Sequence, residues 1–143
     1  MLNKTCSPFM EITKEQARFL WRTSWLSLGS CIYAVYKTHY HLALVPGSVY
    51  ITSINYWRDP QSNSWRKYAD MYVVFTSLGY QIAMTRNAQN VRIYYVLILL
   101  CGLSYYESLR YAKTQDKWTS VYWHSLIHIL GNISNIVLYS GNV

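Results

Sequence analysis

Two histidines, His124 and His128, lie four residues apart in an apolar stretch near the end of the chain. On an α-helix this spacing places both imidazoles on one face, one turn apart. Asn132 and Asn135 continue the same face. A polar stripe on an otherwise apolar helix faces other helices or a wet cavity, and neutral imidazole is a good ligand for zinc. The pattern therefore predicts a helix that carries half of a metal site.

The other half is expected from Ser53, Asp70 and Glu107, which fall near the ends of three other apolar stretches. The order of these stretches places all three side chains at the same level as His124 and His128. Two imidazoles and a carboxylate suit Zn²⁺ with water in an open fourth position, and such a metal lowers the pKa of its water to about 7. We therefore predict His124, His128 and Asp70 as zinc ligands, and Ser53, Asp70 and Glu107 as catalytic residues.

Each of these residues also has a purely structural interpretation. The two histidines could hydrogen-bond neighbouring helices, and Asp70 could be a first-turn carboxylate at a helix N-terminus. Ser53 could bond back to its own helix. Glu107 could pair with Arg110 or Arg22 at the surface. The metal site is favoured because all of these residues are expected at the same depth along the predicted helical bundle.

The remaining histidines, His39 and His41, are not predicted as ligands. They begin the second apolar stretch at its opposite end. His41 precedes Ser53 by twelve residues, which is about 18 Å along a helix.

The composition favours a membrane protein. Charged residues make up 13% of the chain, against about 25% in an average soluble domain. Hydrophobic residues make up 52% and aromatic residues 17%, with fifteen tyrosines and six tryptophans. Amphipathic aromatic side chains suit membrane interfaces. We therefore predict an all-α protein, a polytopic transmembrane helical bundle, with a soluble all-α bundle as the alternative.

Polar loops divide the apolar sequence into about five candidate spans, each near the length of about 20 residues that a membrane helix needs. Residues 1–17 are predicted to form an N-terminal tail or interfacial helix, and residues 18–143 the transmembrane bundle. The five spans are expected at residues 19–36, 42–57, 65–85, 91–109 and 118–140.

The net charge of +7 is distributed unevenly between the two predicted sides. By the positive-inside rule, the N-terminus is expected on the cytoplasmic side and the C-terminus on the opposite side. Because the basic residues form neither a run nor a helical stripe, nucleic acid is not a predicted partner. Membrane lipids are, and homo- or hetero-oligomers in the membrane stay open. The basic residues on the predicted inner side are Lys4, Lys14, Arg18, Arg22, Arg58, Arg66, Lys67, Arg110, Lys113 and Lys117.

A serine late in one helix, an aspartate early in the next and a His-x-x-x-His pair in the last helix resemble the CREST superfamily of membrane hydrolases. That superfamily includes alkaline ceramidases, progestin and adipoQ receptors, and enzymes that remodel the lipids of GPI anchors. The matching stretches are residues 52–57, 66–70 and 124–128. The resemblance implies a seven-helix hydrolase with an intramembrane zinc that cleaves lipid amides or esters. Trp57 stands where the family often has a third histidine, which would suit a shortened or degenerate member.

Three functions remain as hypotheses at this point. The first is an integral membrane zinc-dependent hydrolase of lipid amide or ester bonds, in which metal-activated water attacks the carbonyl. The second is a non-catalytic small membrane protein, a subunit or receptor-like bundle, whose polar histidine and asparagine face packs against a partner. The third is a proton or ion path along the same face.

Overall fold

The computed structural model describes residues 12–143, so most of the predicted N-terminal segment, residues 1–11, lies outside the described part. The first helix begins at Lys14, within that segment, because Thr13 and Gln16 form a capping box at its N-terminus. The six helices of the described residues are α1 (Lys14–Ser24), α2 (Leu26–Tyr36), α3 (Tyr40–Trp57), α4 (Trp65–Thr85), α5 (Val91–Ala112) and α6 (Lys117–Ser140).

The all-α prediction is confirmed, but the prediction of a polytopic transmembrane bundle with about five spans is wrong. Among residues 12–143, no helix combines the length and the apolar character that crossing a membrane requires. Two helices, α1 and α2, have only 11 residues each, and the longer helices interrupt their apolar residues with polar ones. Tyrosine and tryptophan add apolar area but little hydropathy, and the mean hydropathy of the chain is close to zero.

The first predicted span, residues 19–36, is divided into α1 and α2 at Trp25. The hydroxyls of Thr23 and Ser24 both donate to the carbonyl of Leu20, each at 2.9 Å. The N–H of Trp25 donates to the carbonyl of Arg22, three residues back, at 3.3 Å. Side-chain bonds of this kind compete with the helical ladder and bend it. Five predicted spans thus become six helices.

Two helical pairs line a half-open cavity. Helix α3 packs on α4, and α5 packs along α6. The second pair is antiparallel, because Ser108 bonds the carbonyl of Ser120 at 3.1 Å while Cys101, further toward the N-terminus, contacts the carbonyl of Ile127. Helix α2 packs on both α3 and α6, and α1 packs on the same two helices. Residues of α3, α4, α5 and α6 therefore face one another across the cavity.

The buried apolar side chains form two clusters at opposite ends of the bundle. They exclude water from the two ends of the bundle, and the cavity lies between them. The smaller cluster contains Leu20, Trp57 and Val121, and the larger contains Ala34, Leu42, Ala43, Ala88, Tyr94, Leu138 and Tyr139.

Asn132 connects the last helix to the second through buried hydrogen bonds. Its Oδ1 accepts from Ser30 Oγ at 2.5 Å, and its Nδ2 donates to Ser27 Oγ at 3.3 Å. The same Nδ2 donates to the carbonyl of His128 at 2.6 Å. This network fixes α6 against α2 one turn from the histidine pair.

Asn132→Ala is expected to lower the free energy of unfolding by about 2–4 kcal/mol, because it leaves the buried hydroxyls of Ser27 and Ser30 without their asparagine partner. Urea denaturation followed by circular dichroism measures the change. Asn63→Ala, at an exposed loop position, is the matched control and should stay within about 0.5 kcal/mol of the wild type. Equal stability of the two variants would contradict the assigned role of Asn132.

Candidate functional site

The cavity between the helical pairs has a volume of about 390 Å³. Ser53 from α3, Asp70 from α4, and His124 and His128 from α6 all line it. Four of the five side chains predicted from the sequence are therefore brought together.

Asp70 is held by two hydroxyl groups of α3. Its Oδ1 accepts a hydrogen bond from Thr52 Oγ1 at 2.8 Å and another from Ser53 Oγ at 2.7 Å. Ser64, not Asp70, caps the N-terminus of α4. Burial raises the pKa of Asp70 above its ordinary value, and the two hydroxyl donors lower it in part. The carboxyl group is thus fixed in place and has an increased affinity for a proton.

The two histidines lie side by side, with 5.4 Å between their ring centroids. His128 is 9% exposed, and its buried Nε2 has no hydrogen-bond partner among the described residues. A buried polar atom usually has a partner in the protein, in a water molecule or in an ion, so this nitrogen is available to water, an ion or a ligand atom. Burial lowers the pKa of His124 to about 4 and that of His128 to about 3, with the charge of His124 adding to the second shift. Both rings are neutral at pH 7, the state that binds metal.

Trp57, at the position of the third histidine implied by the resemblance, packs edge-on against His124. The ring centroids are 5.0 Å apart and the ring planes are 69° apart. Indole is a donor only and cannot bind a metal through its ring nitrogen. Trp57 therefore forms a wall beside the histidine pair.

Glu107 does not join the other predicted site residues. It does not line the cavity, and its carboxylate pairs with Arg110 one helical turn away, at 3.3 Å. The surface interpretation thus accounts for its position. His39 and His41 also lie away from the cavity, at the start of α3.

The side chains that could coordinate a metal ion supply part of a zinc site. Within residues 12–143, no three histidine, cysteine or acidic side chains form a group that could hold a metal ion. His124 and His128 provide two neutral nitrogens with the i, i+4 spacing found in helical zinc sites. Asp70 is the one carboxylate among the described residues that line the same cavity. The residues present therefore supply two ligand positions, and Asp70 lines the cavity without forming a group of three with them.

The cavity is also lined by three polar residues that were not singled out from the sequence, Ser77, Gln81 and Tyr94. Gln81 Nε2 donates to Asn135 Oδ1 at 2.9 Å. Tyr94 is fully buried there, and its hydroxyl has no hydrogen-bond partner among the described residues. Ser77 and Gln81 follow Asp70 by seven and eleven residues, a spacing that places them on one helix face. That periodicity could have identified them.

Apolar side chains form the remaining wall of the cavity, mainly from α4 and α5. Ligand sites typically combine such walls with a few polar groups. The arrangement suits a mostly apolar molecule with a polar group near the histidines. The apolar lining residues include Val49, Met71, Val74, Phe75, Leu78 and Ile98.

Comparison with known proteins gives no family for this chain. No protein-family model, no curated protein and no solved structure shows significant similarity to it.

Proposed function

We propose that this protein is a zinc-dependent hydrolase that cleaves an amide or ester bond in a lipid-like substrate. The observation that carries the proposal is the unpartnered Nε2 of His128, buried beside His124 in an apolar cavity. The same cavity holds the Ser53–Asp70 hydrogen bond. The resemblance of these stretches to the CREST hydrolases supports the same reaction.

His124 and His128 are the residues that would hold the metal, and Asp70 lines the same cavity. Zinc bound there would supply a Lewis acid and a water molecule of lowered pKa. The neutral state of both histidines at pH 7, which follows from their lowered pKa values, means that no proton has to leave before they bind.

Asp70 acts as the general base in this proposal. It takes the proton of the attacking water and returns it to the leaving amine or alcohol, so that water is added across the cleaved bond. Its raised pKa moves it toward the range in which such transfer is efficient. The hydroxyls of Thr52 and Ser53 orient the carboxyl group toward one position.

The substrate class follows from the shape and lining of the cavity. Its volume of about 390 Å³ is within the range of small-molecule sites. Met71, Phe75 and Ile98 offer apolar contact to an acyl chain. A fatty acyl amide or ester would place its carbonyl near the histidines and its chain along α4 and α5.

A non-catalytic role, in which the polar face of α6 packs on a partner, has less support. Asn132 is bonded to Ser27 and Ser30, and Asn135 to Gln81, all within this chain. Those residues of the face already have intramolecular partners.

Asp70→Asn provides the test of the proposed reaction. The amide retains an acceptor oxygen for both hydroxyls, so we expect the fold to persist. It cannot take a proton, so kcat for hydrolysis of fatty acyl amides and esters should fall by about 10²–10⁴-fold. Glu107→Gln is the matched control and should keep wild-type turnover. If zinc-loaded wild type shows no turnover with either bond type, or if Asp70→Asn keeps full activity, the proposed mechanism is wrong.

A further inference from the structure

A second pocket lies on the outside of the bundle, where the N-terminal part of α1 meets the end of α3. Its volume is about 440 Å³. Lys14, Arg18 and Arg22 line it from α1, and Arg58 lines it from the C-terminal end of α3. The three α1 residues are spaced i, i+4 and i+8, which places them in one row along the helix. The sequence-based view that the basic residues form no helical stripe is therefore incorrect for α1.

The charge of this pocket is not balanced by the described residues. Asp59 is the one acidic side chain that lines it, against four cations. The single ion pair found in residues 12–143 joins Arg110 to Glu107, at a different place on the surface. Like charges at i, i+4 spacing destabilise a helix. An anion bound between them would remove that repulsion.

Apolar and aromatic side chains form the back wall of the pocket. Trp57 lines it and is only 3% exposed. Trp21 and Ala17 provide apolar surface beside the cations. Charge-assisted hydrogen bonds gain strength next to low-dielectric surface.

We propose that this pocket binds a phosphate group. Arginine guanidinium groups match the oxygens of a phosphate in a bidentate manner, and several of them favour a multiply charged anion over a single carboxylate. The row from Lys14 to Arg22 extends about 12 Å along the helix, enough for one or two phosphates. The group could belong to a soluble phosphate ester or to the headgroup of a phospholipid.

Phosphate binding does not depend on the hydrolytic function and is measured without turnover. Isothermal titration with pyrophosphate and with glycerol 3-phosphate tests the soluble source. Sedimentation with phosphatidylcholine vesicles, with and without phosphatidic acid, tests the lipid source. The variant is Arg18→Gln/Arg22→Gln. The control is Arg86→Gln/Arg92→Gln, which removes the same charge from exposed positions outside both pockets.

We expect saturable binding of one source by the wild type, weakened at least about tenfold in Arg18→Gln/Arg22→Gln and by less than about twofold in the control. Circular dichroism establishes that each variant is folded. If the double variant is not, Arg58→Gln, at an exposed position after α3, replaces it and should weaken binding about threefold or more. Absence of saturable binding to every probe, or equal loss in variant and control, overturns the proposal.

Discussion

Replacing His124 and His128 together by alanine is expected to eliminate stoichiometric zinc binding and to lower kcat/KM for lipid amide or ester hydrolysis at least about a thousandfold. The two imidazoles are the nitrogen ligands that the cavity offers, and one carboxylate alone does not retain zinc at micromolar concentration. Elemental mass spectrometry of the purified protein should give about one zinc per wild-type chain and none in the variant. Hydrolysis assays on the same samples measure the loss of turnover.

The matched control for this experiment is His39→Ala/His41→Ala, which also removes two histidines but from positions outside the cavity. It should keep both its zinc and its activity. Because Nε2 of His128 has no hydrogen-bond partner among residues 12–143, the cavity variant loses no hydrogen bond there and should remain folded. Retention of zinc by His124→Ala/His128→Ala would show that the ligand assignment is wrong. Loss of zinc with unchanged turnover would show that hydrolysis does not require the metal.

The second large effect is a loss of stability in mild acid. The pKa values of His124 and His128 are lowered in the folded protein, to about 4 and about 3, from a value near 6.5 in the unfolded chain. The unfolded state therefore binds more protons than the folded state as the pH falls below about 6.5, and the free energy of unfolding decreases. Between pH 7 and pH 5 the two histidines together should remove about 2–4 kcal/mol.

Asp70 has the opposite effect on the pH dependence of the free energy of unfolding. Its folded pKa is raised, so its contribution to stability is present at low pH and is lost as the pH rises through that folded value. It therefore offsets part of the histidine effect at the acidic end of the range. The histidine effect dominates near pH 5 because two groups take up protons on unfolding and both begin to do so near pH 6.5.

Urea denaturation at pH 7 and at pH 5, with a chelator present so that metal plays no part, measures this dependence. The wild type should show the decrease, and His124→Ala/His128→Ala should lose most of it. An unchanged pH dependence in the variant would mean that the acid sensitivity comes from other groups and that the histidines are not buried as the structure has them.

The level of each candidate residue along the bundle could be predicted from the sequence, whereas its direction around the helix axis could not. Helical period and alternating chain direction are enough to bring Ser53, Asp70, His124 and His128 into one cavity. Glu107 lies at the same level, but it follows Tyr105, which lines the cavity, by two residues. Two side chains that are two residues apart point about 200° away from each other around the helix axis. Glu107 therefore points away from the cavity and pairs with Arg110.

The prediction of five transmembrane spans failed because composition and hydropathy were treated as one property. A chain with few charges and many aromatic residues has apolar area, but its tyrosines, serines and asparagines keep each helix below the hydropathy of a membrane span. The break between α1 and α2 at Trp25 could not be predicted from the pattern of apolar residues either. It depends on hydrogen bonds from the hydroxyls of Thr23 and Ser24 to the carbonyl of Leu20, and serine and threonine do not always form such bonds in helices.

The bond between Ser30 and Asn132 joins residues 102 positions apart, and this separation has a consequence for the order of assembly. The α5–α6 pair closes a loop of only 12 residues between Ser108 and Ser120, so it can form while the rest of the chain is still open. Closing the larger ring has a higher entropic cost and should come after the folding transition state. Asn132→Ala should then accelerate unfolding far more than it slows folding, and stopped-flow rates that show the reverse would place this contact in the folding nucleus.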